Sequence, residues 1–77
     1  MLEAAKRYSS QVTILLLIAG IELDVAQVAE GICYVREPVD VESGDGELVI
    51  MVDDHEIRHP VHLPHGVQKG QKAVHFF

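Results

Sequence analysis

From Gly44 to Leu63 the chain reads GDGELVIMVDDHEIRHPVHL, two alternating segments set off by two tight-turn signals. Leu48, Ile50 and Val52 alternate with Glu47, Val49 and Met51, which is the two-residue period of a strand with Leu48, Ile50 and Val52 facing in. Asp53-Asp54-His55 makes the turn, aspartate being one of the few non-glycine residues that tolerates a left-handed turn position. In the return segment Ile57, His59, Val61 and Leu63 share the inward face, and Arg58, Pro60 and His62 point the other way. Pro60 lacks the N–H that a central ladder requires, so this strand is expected at an edge.

The same period appears upstream. Val12, Ile14, Leu16 and Ile18 fall on one face of a strand, and Leu15 and Leu17 on the other. A strand apolar on both sides is expected to be central, or covered on its second face by a helix or another subunit. The rival reading is a helix from Gln11 to Glu30, but Gly20 interrupts it and Ala19-Gly20 makes a natural hairpin turn. After that turn Ile21, Leu23 and Val25 alternate with Glu22, Asp24 and Ala26. Glu30-Gly31 is a further turn, followed by ICYVRE, in which Ile32 and Tyr34 oppose Cys33 and Val35. Pro38 sends the next segment along an edge or across to another layer. Ser43-Gly44-Asp45-Gly46 reads as a loop.

The ends differ from this body. Residues 2 to 9, LEAAKRYS, carry good helix formers with Leu2, Ala5 and Tyr8 at helical spacing, which predicts a short N-terminal helix within 1–10. Pro64, Gly66 and Gly70 loosen the tail, and AVHFF is placed to add a closing strand. Hairpins at roughly 10–12-residue spacing indicate an antiparallel all-β chain of about six short strands. The expectation is therefore a single mainly β domain over 1–77, either a small barrel or a sandwich, with its hairpin-rich body at 11–63 and its tail at 64–77.

Composition narrows the function classes. The core must come from Val, Ile and Leu, because tryptophan is absent and only two Tyr and two Phe occur. A chain this short often needs a metal, a disulfide or a partner chain. Cys33 is the one cysteine, so no internal disulfide forms, and a reducing, cytoplasmic setting is expected. Twelve carboxylates stand against six Lys and Arg, and every carboxylate except Glu3 lies between Glu22 and Glu56. Such a body offers no basic face for a phosphate backbone, which argues against a small-barrel nucleic-acid binder. The apolar run Val12–Ile21 after Lys6 and Arg7 resembles a signal peptide, but Glu3 sits in the basic region and no Ala-x-Ala site follows. It is also shorter than the roughly 20 residues that a membrane-spanning helix needs, so no membrane partner is expected.

The dense chemistry is histidine. His55, His59, His62 and His65, with Asp53, Asp54 and Glu56 nearby, are the candidate transition-metal ligands, and a histidine-rich metal-binding protein is the first alternative reading. Spacing opposes a site within one segment. On a strand, residues four apart are about 13 Å distant, and His59 and His62 point to opposite faces. A site would need two chains, or His62, His65 and His75 gathered by a returning tail. Protonating all five histidines would take the formal charge from −6 to −1, changing solubility between pH 7 and 5. Cys33 in an apolar run reads as packing rather than a nucleophile, and the sequence holds no nucleophile elbow, phosphate loop or CxxC pair. No cofactor and no enzyme activity are expected. Leu15, Leu17, Val49 and Met51 lie opposite the core and are the candidate interface. The reading is a non-catalytic interaction or assembly module that forms a homo-oligomer or binds a protein partner.

Overall fold

Turn chemistry organises the architecture. The computed structural model describes residues 12–77. Strand β1 (Val12–Ile18) returns as β2 (Ile21–Ala29) through Ala19 and Gly20, both at positive φ, the signature of a two-residue hairpin matched to strand twist. Gly31 at φ 75° turns β2 into β3 (Ile32–Val35). After a crossover, β4 (Gly44–Val52) and β5 (His55–Leu63) are joined by Asp53 and Asp54, with Asp53 at φ 55°. Strand β6 (Ala73–His75) pairs with β3.

All six strands are antiparallel and follow the order β5-β4-β1-β2-β3-β6 in one sheet that curls into a half-barrel. The curl has a local cause in β2. Its first half pairs with β1 as far as Asp24, and its second half pairs with β3 from Val25 onward. The register slips between Val25 and Gln27, leaving Ala26 as the extra residue of a bulge, which bends a strand and raises its twist. At the open side the Phe77 N–H donates to the His62 carbonyl (2.9 Å) and the His62 N–H donates to the Phe77 carbonyl (3.1 Å). That reciprocal pair ties the two ends of the sheet together.

The core lies inside the curl and is aliphatic apart from Cys33. Leu16, Leu63, Val35 and Cys33 are its most buried side chains. Fully burying one such side chain stabilises by about 1.5–3 kcal/mol. Two contacts tie the connection between β3 and β4 to the tail that follows β5. Val41 and Val67 exchange N–H···O bonds of 2.8 Å each, and the Lys69 N–H donates to the Asp40 carboxylate at 2.8 Å.

Three expectations need correction. Gly44–Gly46 is the start of β4 rather than a loop, paired with Leu63 through Val61. The glycine serves close approach: a Cβ on Gly46 would stand 2.4 Å from the Leu17 carbonyl oxygen. Gly66 does not loosen the tail but is buried against the Val41–Ser43 backbone. The inward face of β5 is not core along its whole length, since Ile57 remains 47% exposed and His59 is exposed. Beyond Asp24 the sheet has moved on to β3, so the far ends of β1, β4 and β5 project past the core as a three-stranded wing that leaves Val12 56% exposed. The expected helix within 1–10 lies outside the described residues. Among those residues no helix is long and apolar enough to cross a membrane.

Candidate functional site

The β4–β5 hairpin places the histidines separately. His55 opens β5 opposite Val52, and His59 lies four residues on, opposite Leu48 and on the same face. Strand rise keeps them about 13 Å apart. His62 faces the other way, and its Nδ1 lies 2.8 Å from the Asp45 Oδ1, its direct cross-strand partner. His65 follows β5 in a turn and shares a cleft of about 160 Å³ with His75 of β6, together with Gly66 and Gln71. The returning tail thus brings two of the histidines together and leaves His62 on Asp45. Among the described residues no three His, Cys, Asp or Glu side chains gather closely enough to hold one ion.

Cys33 is fully buried, and burial pushes its thiol up to about 11. A thiol with little thiolate and no access to solvent is a packing group. Asp53 and Asp54 are exposed turn residues.

The outer face of the β5-β4-β1 portion is where sequence-selected residues converge. Leu15 and Val49 are directly opposite one another, Leu17 faces Glu47, and Thr13 faces Met51. The four candidate interface residues Leu15, Leu17, Val49 and Met51 therefore form one strip across two strands. Val49 is 3% exposed although it lies apart from the core cluster, and the other three are half-buried. Glu22 and Asp24 of β2 border the strip opposite Leu17 and Leu15. Arg58 borders it on β5, donating from Nε to Glu56 and from Nη1 to Glu47, the latter at 2.9 Å. Those bonds, the one to Glu56 first, raise the guanidinium's proton affinity and keep it charged.

Sequence reasoning expected β5 at an edge from Pro60 but did not identify which of its backbone groups face outward. His62 spends both backbone groups on Phe77, so it points away from β4. Alternate residues of an antiparallel strand point the same way, so Glu56, Arg58 and Pro60 also aim their backbone at that edge. Among the described residues nothing pairs with them there. Pro60 was the available signal, because its missing N–H is tolerated only where no ladder follows. In comparisons with protein-family models, with curated proteins and with solved structures, nothing matches this chain, so its site is read from its own chemistry.

Proposed function

We propose that this chain is a non-catalytic interaction module that associates with copies of itself. One observation carries the reading: Leu15, Leu17, Val49 and Met51 stand in adjacent register on the sheet face turned away from the core, bordered by Glu22, Asp24 and Glu47. An apolar strip with a polar rim is the composition of a protein interface. Methionine at one end suits a surface that adapts to its partner. The acidic border suits another protein rather than a nucleic acid or an anionic membrane.

Solution mass by light scattering across a concentration series, at pH 7.5 with and without chelator, tests the reading. The expected result is a dimer or larger species unaffected by chelator. Leu17→Glu, which sets a carboxylate into the strip beside Glu22 and Glu47, should lower the mass. A monomer at every concentration overturns the proposal.

A further inference from the structure

The β5 edge carries a pattern that fits itself. Backbone groups of Glu56, Arg58 and Pro60 face outward without described partners, and Ile57 between them is 47% exposed on the opposite side of the sheet. Charged residues and proline on an edge ordinarily guard it against pairing. Here they also discriminate among registers. In a two-fold antiparallel pairing the outward-facing residues of one copy must stand opposite those of the other. Placing Glu56 opposite Glu56 of a second copy sets like charges together, as does Arg58 opposite Arg58. Placing Arg58 opposite Pro60 would put Glu56 against His62, whose backbone is already bonded to Phe77. Only one register both avoids setting like charges opposite each other and leaves His62 to Phe77. With Glu56 opposite Arg58 of the second copy, both ion pairs are attractive, and each pair exchanges two backbone hydrogen bonds. Pro60 then falls opposite the turn residue Asp54, where no ladder donor is called for.

We infer that two copies of this chain join edge to edge through β5, with Glu56 opposite Arg58 and Ile57 opposite Ile57 on the two-fold axis. The inference rests on the self-association reading and adds to the face contact through Leu15, Leu17, Val49 and Met51 a second, edge-to-edge contact of defined register. Ile57 meets its counterpart as a non-hydrogen-bonded pair, the closer of the two antiparallel pairings. It covers there the apolar side chain that the curl leaves open. The wings of the two copies, each carrying Ile14 and Ile50 beside Ile57, become one sheet across the axis. Arg58 keeps an acidic neighbour throughout, exchanging between its own Glu56 and Glu47 and the Glu56 of the second copy.

Cysteine cross-linking of the full chain reads the register directly. Ile57→Cys should form a disulfide-linked dimer in a glutathione redox buffer, because the axis sets that position against itself. His59→Cys, which the register sets opposite His55, should cross-link about tenfold more slowly. Cys33 is buried and does not compete. Charge reversal supplies the second arm, with circular dichroism confirming that each variant is folded. Glu56→Arg should weaken the dimer about tenfold, and adding Arg58→Glu should restore it, since opposite charges again face each other. A wild-type chain that is monomeric throughout sinks both this inference and the self-association reading. A wild-type dimer in which Ile57→Cys links no faster than His59→Cys, or in which Glu56→Arg has no effect, sinks the β5 register alone.

Discussion

Replacing Gly66 with alanine isolates the contribution of one contact between the β3–β4 connection and the tail. Gly66 has φ 63°, and a Cβ there would meet the Val41 carbonyl oxygen at 2.0 Å, the Glu42 carbonyl carbon at 2.6 Å and the Ser43 nitrogen at 2.8 Å. Gly70 is the internal control, with φ 92° and nothing within 4 Å of its would-be Cβ. Both substitutions incur a left-handed backbone cost of about 1–2 kcal/mol. Both recover about 0.4–1 kcal/mol through a stiffer unfolded chain. Gly70→Ala should therefore cost about 1 kcal/mol, within a range of roughly 0–1.6 kcal/mol. Gly66→Ala must also push the Val41 backbone away, and Val41 and Val67 are held by two hydrogen bonds of 2.8 Å. Losing both adds about 1 kcal/mol each, so the total is roughly 3 kcal/mol. At about 4–8 °C per kcal/mol for a chain of this size, the melting temperature should fall by roughly 12–24 °C for Gly66→Ala and by about a third of that for Gly70→Ala. Urea denaturation should show the same ranking at unchanged m-value. Equal losses for the two variants would refute the close approach at Gly66.

Cys33 predicts a pH dependence of stability. Burial raises its thiol to about 11 from an ordinary 9.0, so the folded chain holds a proton that the unfolded chain releases. The contribution is fully present below pH 9.0 and is lost as pH rises toward about 11, at about 1.4 kcal/mol per pH unit within that window. Urea midpoints at pH 8 and 10.5 should fall further for the wild type than for Cys33→Ala, and equal falls would count against it. Core and wing should also separate. Leu63→Ala, at a fully buried site, should cost about 2–5 kcal/mol, whereas Ile57→Ala should cost well under half as much when monomeric variants are compared by thermal unfolding.

The strands were legible because period and turn chemistry agreed. Ala19-Gly20 and Asp53-Asp54 each needed a backbone that few other residues accept, and each sits at a hairpin. Pro60 announced an edge, and β5 is outermost in the strand order. The reading of Gly44–Gly46 as a loop failed because glycine serves two purposes. Conformational freedom and the absence of a side chain look identical in sequence, and at Gly46 the second applies, against the Leu17 carbonyl. Of the candidate residues, Leu15, Leu17, Val49 and Met51 could be assigned to one outward face from alternation alone. Their assembly into a strip required the β1–β4 register.

Within residues 12–77, and apart from Gly44–Gly46 and Gly66, sequence by itself determined the local structure: where the chain extends, where it turns, which side chains share a face, and that the core would be aliphatic. Those properties depend on neighbours one to four residues away. Tertiary structure decided which inward-facing positions became core. Val12, Ile57 and Leu16 carry the same alternation signal, yet Leu16 is buried and the other two are largely exposed. The difference arises at Ala26, where the β2 bulge turns the sheet toward β3 and leaves the ends of β1, β4 and β5 outside the curl. Burial depends on what arrives from distant parts of the chain, and alternation along one strand carries no record of where the strands beside it will bend.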